Sequence, residues 1–219
     1  MKKDKIIILY SSKTDGDMKN KSNFEHFIKQ SKLIKNEKTR IKQMIQRHTN
    51  IVKVCTKNQD IYECDGLVSN SKDFVLMSYS ADCLSLCFFD KDKKVFGIAH
   101  AGRKGVFEKI SLNMIKKFQD VYDVPSSSLC LHIGVGICKK CYEVDTGTAT
   151  FAKNEFGEEF VKNNFIALKE LISSQVQSAG LKKENITISS QCSKCDDKYF
   201  YSYRKNQTSK RFAYFISLA

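Results

Sequence analysis

The stretch Leu84-Ser85-Leu86-Cys87-Phe88-Phe89 is followed by Asp90-Lys91-Asp92-Lys93-Lys94 and then by Val95-Phe96-Gly97-Ile98-Ala99. The two outer runs are apolar and of strand length, and the polar run between them has the composition of a hairpin loop. The next segment, residues 105–122, places apolar side chains at helical spacing. Two buried strands followed by an amphipathic helix predict a sheet with a helix packed on it.

Further strands and helices are predicted on both sides of this hairpin. The strands are residues 5–10, 51–56, 74–77, 129–133, 186–189, 200–203 and 212–218, and the helices are 23–47, 105–122 and 167–179, the last ending at Gly180. Strands and helices interleave, and we find no internal repeat, linker or low-complexity segment. We therefore predict one domain over residues 1–219, of class α/β (α+β), with a mixed β-sheet core of layered strands flanked by helices.

The composition limits the partners and the compartment. The formal charge of +13 would attract anions, but the lysines are spread along the chain and form no long run, so we expect a solvated basic surface and no nucleic-acid partner. The first apolar run, residues 6–10, is too short for a signal peptide or a membrane span. Nine cysteines without such a segment favour a reducing, cytoplasmic location, with free or metal-bound thiols.

Three chemically able residues lie at the ends of predicted strands, where functional sites are usually built. His48 comes just before a strand, Cys83 lies between two strands, and His100 directly follows one. Two imidazoles and one thiolate suit zinc, and three protein ligands leave a fourth tetrahedral position open, as in catalytic zinc sites. Their spacing of 35 and then 17 residues matches no zinc motif. Structural histidines and a buried, inert Cys83 therefore stay open as alternatives.

The neighbours of these residues add to the prediction. Asp82, beside Cys83, is suited to orient a ligand histidine or to move a proton. The glycine-containing turn after His100 leads into a helix, whose N-terminus would favour an anion. The other two histidines are predicted to be structural, because His26 lies on a charged helix and His132 lies within an apolar strand.

Five blocks of sequence occur in the order typical of one family. They are Gln46-Arg47-His48, Ala81-Asp82-Cys83-Leu84, His100-Ala101-Gly102-Arg103-Lys104-Gly105, the pair Ile133-Gly134-Val135-Gly136-Ile137 and Cys141-Tyr142-Glu143-Val144, and Cys192 with Tyr199-Phe200-Tyr201-Ser202-Tyr203-Arg204-Lys205 and Lys210-Arg211. Through these blocks almost the whole chain resembles the laccase-domain family, formerly called multicopper polyphenol oxidoreductases. Members of that family are purine nucleoside phosphorylases with adenosine deaminase activity.

The resemblance implies a laccase-domain fold similar to that of cysteine hydrolases. It implies that His48, Cys83 and His100 bind an active-site zinc, with Cu²⁺ as the second choice, and that Cys83, Asp82 and His100 are catalytic. The implied substrates are adenosine, inosine, guanosine and methylthioadenosine with inorganic phosphate, and adenosine is also deaminated. We expect a monomer or a homodimer.

The chain departs from the family pattern around the predicted site. Arg103 and Lys104 stand where the family has Trp and Arg, and Lys13 stands where it has Arg. The glycine-rich stretch that normally follows is shortened to residues 14–17. A lysine binds phosphate as a point charge, without the two-pronged geometry of arginine. We expect phosphate or ribose contacts from four side chains: Lys13, Lys104, Arg204 and Arg211.

Two C-x-x-C pairs suggest a different kind of site. Cys138 and Cys141 form the first pair, and Cys192 and Cys195 form the second, after a gap of 50 residues that is longer than in typical zinc ribbons. The sequence favours free buried thiols here, with a four-cysteine metal site as the alternative. A real zinc ribbon on a basic chain would instead indicate a nucleic-acid-binding module.

Two other enzyme classes remain open at this stage. A copper-dependent polyphenol oxidase usually needs several coppers and many histidines, and this chain has four histidines. A cysteine hydrolase would use Cys83 as nucleophile and His100 as base. Some members of the family that the chain resembles are linked to peptidoglycan precursor editing, which would fit such a hydrolase. Metal content separates these classes. The nucleoside phosphorylase requires zinc, the polyphenol oxidase requires several copper ions, and the cysteine hydrolase requires no metal.

Overall fold

The computed structural model describes residues 5–218, along which strands and helices interleave. In chain order they are β1 (Ile6–Tyr10), α1 (Lys21–Ser31), β2 (Arg40–Ile45), β3 (Val52–Val54), β4 (Ile61–Glu63), β5 (Gly66–Ser69), β6 (Phe74–Ser80), β7 (Leu84–Asp90), β8 (Val95–Ala101), α2 (Arg103–Phe107), α3 (Ile110–Tyr122), β9 (Cys130–Ile133), α4 (Thr146–Phe156), β10 (Val161–Lys162), β11 (Phe165–Ile166), α5 (Leu168–Ser178), β12 (Ile186–Ile188), α6 (Tyr203–Asn206) and β13 (Phe212–Leu218).

The predicted hairpin forms the centre of a six-stranded sheet. β7 and β8 pair antiparallel from Leu84 opposite Ala101 to Asp90 opposite Val95, as the polar loop between them predicted. The strand order is β12-β9-β7-β8-β5-β3, and β5 to β3 and β9 to β12 are the parallel pairs. Both central strands are buried on nearly every residue, which explains their continuous apolar sequence.

A second mixed sheet has five strands in the order β1-β13-β6-β2-β4. The C-terminal strand β13 is central and pairs antiparallel with β1 on one side and β6 on the other. Every residue of β13 is buried, so the C-terminal segment belongs to the core. A separate pair, β10 and β11, forms a small antiparallel ribbon.

The sheets and helices form four layers, and an apolar cluster lies between each layer and the next. The middle cluster lies between the two sheets, where Leu76 and Ile216 of the five-stranded sheet meet Ile98 of the six-stranded sheet. On the outer face of the six-stranded sheet, α3 and α5 cover a cluster that includes Phe88. On the outer face of the five-stranded sheet, α1 covers the third cluster through Phe27. This helix–sheet–sheet–helix order confirms the predicted mixed sheet core flanked by helices.

Several predicted elements differ in the structure. The predicted helix over 23–47 is wrong beyond Ser31, because residues 40–45 form β2, which pairs in parallel with β4 and β6. The helix over 105–122 is broken at Lys109, whose φ of 60° is left-handed. The predicted strand over 200–203 is wrong, since Tyr203 begins the short helix α6. The strands β4, β5, β10 and β11 and the helix α4 were also not predicted.

The helix at 167–179 is confirmed, and Gly180 follows its end with a left-handed φ of 95°. Among residues 5–218, no helix combines the length and apolar character needed to cross a membrane.

Candidate metal centre and cavity

Two loops and the end of strand β8 carry the predicted ligands. His48 follows β2, Cys83 lies in the turn from β6 to β7, and His100 lies on β8 opposite Ser85 of β7. The two atoms Cys83 Sγ and His48 Nε2 are 3.8 Å apart, and the two imidazole rings have centroids 4.8 Å apart. One ligand atom from each residue lies within 4.8 Å of the other two. Tetrahedral zinc separates a nitrogen and a sulfur ligand by about 3.6 Å, so the group fits one ion.

The loop that carries His48 is tied to the neighbouring strand by Gln46. The side-chain amide of Gln46 accepts a hydrogen bond from the Tyr79 amide at 2.8 Å and donates one to the Tyr79 carbonyl at 2.9 Å, as a paired strand would. His48 itself has a left-handed φ of 61°, and Asp82 has a φ of 98°. Non-glycine residues rarely adopt a positive φ. Residues that the surrounding structure holds in such a conformation are found preferentially at functional sites.

Gly102 allows the ligands to approach one another. A methyl group in place of its hydrogen would lie 2.7 Å from Cδ2 of His48 and 2.9 Å from Sγ of Cys83. Both distances are shorter than real contacts of a Cβ atom, so a side chain at this position would displace two ligands at once.

Asp65, in the turn from β4 to β5, fixes two of the three ligands. Its buried carboxylate accepts a hydrogen bond from Nδ1 of His100 at 2.8 Å and from the backbone amides of Arg47, His48 and Thr49 at 2.8–3.1 Å. A carboxylate bound to one imidazole nitrogen leaves the other nitrogen free for a metal ion. Sequence reasoning missed Asp65, because Asp65-Gly66 has the composition of an ordinary turn.

The charges in this group support one another. Burial opposes ionisation of Asp65, but the hydrogen bonds from His100 and Thr49 outweigh it and lower its pKa to about 2. Burial also opposes ionisation of Cys83, yet the charge of His100 and hydrogen bonds from both histidines lower the pKa of its thiol to about 6. Burial disfavours the charged form of His100, but Cys83 and Asp65 raise its pKa. These interactions favour the thiolate form of Cys83, which is the form that binds metals and attacks electrophiles.

Asp82 contacts the backbone and side chains behind the ligands. Its Oδ1 accepts a hydrogen bond from Ser193 Oγ at 2.6 Å, and its Oδ2 accepts one from the backbone amide of Arg204 at 2.7 Å. The contact to His100 that the sequence allowed for Asp82 is made by Asp65 instead. Through these two hydrogen bonds, Asp82 joins the turn containing Cys83 to the segments that contain Ser193 and Arg204.

A cavity of about 660 Å³ opens beside the three ligands. Met44, Ile45 and Ala81 form an apolar part of its wall. The remaining wall contains the polar residues Gln46, Ser80 and Asp82. It also combines tyrosines with positive charges: Tyr79, Tyr142, Tyr203, Lys19, Arg103, Arg204 and Arg211. An apolar and aromatic cavity with a few convergent charged groups is typical of a site for a small ligand.

The four predicted substrate residues divide into two pairs. Arg204 and Arg211 line the cavity, and the guanidinium of Arg204 lies 5.0 Å from the ring centroid of Tyr142. Lys13 instead donates to the carbonyl of Asp197, and Lys104 lies 3.9 Å from Glu108 on an exposed face of α2. Neither lysine is among the residues that line the cavity.

Two other basic residues, Lys19 and Arg103, line the cavity in place of these lysines. The sequence indicated Arg103 only as a departure from the family pattern.

The two remaining histidines lie outside the site. His132 hydrogen bonds to Thr187 at 3.0 Å, and His26 lies on the exposed face of α1.

The two C-x-x-C pairs meet in space. The sequence favoured free buried thiols, but of the four only Cys192 is buried, and Cys195 is exposed. One sulfur from each of Cys138, Cys141, Cys192 and Cys195 lies within 4.8 Å of the other three. All nine cysteines are free of disulfides, as the sequence predicted.

The protein is a mixed α/β protein with two layered sheets. Its candidate metal centre is the group of His48, Cys83 and His100 beside a basic cavity. Residues 10–219 match the family described as multi-copper polyphenol oxidoreductase laccase, and the chain belongs to that family.

Similar proteins support this assignment. A purine nucleoside phosphorylase of Campylobacter jejuni, Cj1217c, is 38% identical over 80% of this chain and 76% of its own length. One from Borreliella burgdorferi is 34% identical over 80% of this chain and 78% of its own length. The solved structure of YlmD from Geobacillus stearothermophilus has the same fold, with a TM-score of 0.84, 21% identity and coverage of 99% of this chain and 92% of that chain.

Proposed function

We propose that this chain is a metal-dependent purine nucleoside phosphorylase that also deaminates adenosine, using the cavity beside His48, Cys83 and His100. The observation that carries this proposal is the convergence of those three side chains on the wall of a basic cavity lined with tyrosines. The names of the Campylobacter jejuni and Borreliella burgdorferi relatives support the reaction class. Adenosine, inosine, guanosine and methylthioadenosine are the proposed substrates.

Zinc is the proposed ion, with Cu²⁺ second. Two imidazoles and a thiolate form a borderline-soft donor set, and the carboxylate of Asp65 holds His100 with Nε2 available. When bound, the ion supplies a Lewis acid next to the substrate. His48, Cys83 and His100 would hold it. The nine free thiols also support a cytoplasmic location.

Phosphorolysis requires the chain to hold phosphate against the ribose. A phosphate oxygen forms a bond to C1′ while the bond from C1′ to N9 breaks, and the purine leaves with the electron pair. Arg204, Arg211, Arg103 and Lys19 supply four positive charges at the cavity wall, and guanidinium groups bind phosphate in two-pronged geometry. The ring of Tyr142, which lies against Arg204, is available to stack on the base.

Deamination uses the same orientation of the nucleoside. The oxygen of water forms a bond to C6 of adenine, the bond from C6 to the exocyclic nitrogen breaks, and inosine and ammonia are released. C6 must then lie beside Cys83, with the ribose toward the arginines. Asp82 would keep the turn of Cys83 in place through its hydrogen bonds to Ser193 and to the backbone amide of Arg204. We also propose that Asp82 transfers a proton during deamination.

The test is chromatography of nucleosides incubated with the purified, zinc-loaded chain. Adenosine without phosphate should yield inosine, and with phosphate it should yield adenine and ribose 1-phosphate as well. Cys83→Ala should lose both reactions together with the ion proposed to bind at His48, Cys83 and His100, whereas Cys130→Ala, which changes a thiol on β9 outside the site, should keep them. Full turnover in Cys83→Ala would contradict the proposal.

The phosphate role of Arg204 has its own test. Arg204→Met should raise the KM for phosphate by roughly tenfold or more, because a charge-assisted hydrogen bond is worth about 1.5–3 kcal/mol. Deamination needs no phosphate and should change less. Arg40→Met, at the exposed first residue of β2 and outside the cavity lining, is the control. Equal losses in both reactions would contradict a phosphate contact.

A cysteine hydrolase is the second candidate, because Cys83 and His100 lie close together and His100, against the effect of burial, favours the thiolate form of Cys83. Such a pair would attack an acyl or peptide bond without a metal. Hydrolysis by chelator-treated protein, with trapping of a covalent intermediate on Cys83, would favour this class. Turnover that disappears with the metal and returns on adding zinc would exclude it.

A further inference from the structure

The four cysteines of the two C-x-x-C pairs form a compact cluster apart from the three ligands of the candidate active site. Cys141 Sγ lies 3.3 Å from Cys195 Sγ, and Cys138 Sγ lies 4.0 Å from it. All four sulfurs lie within 4.8 Å of one another. Four thiolates around one zinc ion are separated by about 3.8 Å, so the observed spacing matches a single tetrahedral ion.

The backbone around the cluster has two tight turns of the kind that hold zinc. In the first, the amide of Cys141 donates to the carbonyl of Cys138 at 2.9 Å, and in the second, the amide of Asp196 donates to the carbonyl of Cys192 at 2.8 Å. Sγ of Cys192 accepts hydrogen bonds from the amides of Cys138 and Cys195 at 3.3 and 3.4 Å. Amide hydrogen bonds to a sulfur stabilise a metal-bound thiolate.

The surrounding charge suits an anionic metal site. Four thiolates and one divalent ion carry a net charge of −2, and each C-x-x-C turn contains lysine: Lys139 and Lys140 in one, Lys194 in the other. Nearby, Lys169 is buried and donates to the carbonyls of Ser189 and Gln191, which fixes the segment leading to Cys192.

We propose that Cys138, Cys141, Cys192 and Cys195 bind a second zinc ion, which is structural because four protein ligands leave no open position. A multi-iron cluster does not fit, since every sulfur lies within 4.8 Å of the others and the space between them holds one ion. The site uses none of the residues proposed for catalysis, so it stands or falls independently of the proposed function.

The second ion would stabilise the two turns that contact Asp82, next to Cys83 in the candidate active site. The first turn adjoins Ile137, whose amide donates to the carbonyl of Asp82, and the second contains Ser193, whose hydroxyl donates to the carboxylate of Asp82. Cys141 also directly precedes Tyr142, which lines the cavity. Crosslinking the two turns through a metal therefore holds both supports of the turn that carries Cys83.

Metal content of the full chain, purified without chelators, tests the proposal. Wild type should contain about two zinc ions per chain and Cys195→Ser about one. Cys195→His should restore the second ion, because three thiolates and one imidazole also form a structural zinc site. Cys130→Ser, which changes a cysteine outside both groups, is the matched control and should keep both ions.

Cobalt substitution distinguishes the two sites without relying on activity. The sulfur-to-cobalt absorption grows with the number of thiolate ligands, so Cys83→Ala should keep most of the wild-type band and Cys195→Ser should lose most of it. Wild-type protein with one zinc ion or none and four freely alkylated thiols in these turns would overturn the proposal. Iron in place of zinc, or disulfides within the pairs in protein prepared under reducing conditions, would also overturn it.

Discussion

At the scale of single residues, the two aspartates next to the candidate metal centre have separate tasks. Asp65 contacts His100 directly and also holds the backbone of the loop containing His48. Asp82 contacts neither histidine and instead bonds Ser193 and Arg204. The sequence indicated Asp82 because it adjoins Cys83, but adjacency in the chain does not determine which carboxylate reaches an imidazole 18 residues further on.

Replacing Asp65 should weaken metal binding. We expect Asp65→Asn to reduce zinc affinity by roughly 10–100-fold, because the carboxylate that orients His100 and raises its basicity is lost. Competition with a chromophoric chelator measures the affinity. Asp92→Asn, at an exposed position in the loop between β7 and β8, is the control and should bind zinc as wild type does. Unchanged affinity in Asp65→Asn would show that His100 is oriented by other contacts.

A methyl group at Gly102 should separate the ligands without unfolding the protein. In Gly102→Ala the new Cβ would lie within 3 Å of atoms of both His48 and Cys83, so we expect loss of metal and activity. The melting temperature of the metal-free protein should change little, because the backbone φ of −77° suits alanine. Gly147→Ala, in the first turn of α4, is the control. An active, metal-loaded Gly102→Ala would contradict the close approach.

At the scale of elements, the β7–β8 hairpin supports the site mechanically. His100 lies on β8 opposite Ser85, and Cys83 immediately precedes β7, so the register of this one pair sets the distance between two ligands. Phe88 of β7 anchors the hairpin against the helix layer that includes Phe118. A rigid strand pair holds ligands more accurately than loops alone would.

Truncation of that anchor should cost stability. Phe88→Ala removes a fully buried ring, and we expect the free energy of unfolding to fall by about 3–5 kcal/mol. Urea denaturation followed by circular dichroism measures the change. Phe151→Ala, in which the ring is 52% exposed, is the control and should lose much less. Similar losses in both variants would argue against the hairpin as a main element of the core.

At the scale of the whole molecule, the four layers enclose three apolar clusters, and none of the seven candidate metal ligands belongs to them. The three apolar clusters fill the space between the sheets and under the helices. A chain of this size buries enough apolar surface to fold without a metal. Its candidate metal ligands lie in loops that join the strands, except His100, which lies near the end of β8.

Metal removal should therefore affect function before the fold. After dialysis against a strong chelator, we expect loss of turnover and a lower melting temperature, because an ion that binds only the folded state stabilises it. The far-ultraviolet circular dichroism spectrum should be nearly unchanged. Added zinc should restore both activity and melting temperature. A spectrum of an unfolded chain after chelation would show instead that the core depends on the metal.

The sequence anticipated the site better than some of the elements around it. His48, Cys83 and His100 were predicted as one group, and the structure brings them together. The wrong helix beyond Ser31 arose because helical and strand periodicity are hard to separate in a charged segment, and pairing with β6 decides the outcome. That the domain extends over all of residues 1–219 stays a prediction.

By itself, the sequence determined which residues are chemically able and which apolar segments form the central hairpin, because side-chain chemistry and apolar periodicity are local properties. Only the tertiary structure decided which of them meet. Asp65 rather than Asp82 contacts His100, Arg103 rather than Lys104 lines the cavity, and two distant C-x-x-C pairs form one cluster. These contacts depend on the strand order of two stacked sheets, which arises from packing between segments far apart in the chain.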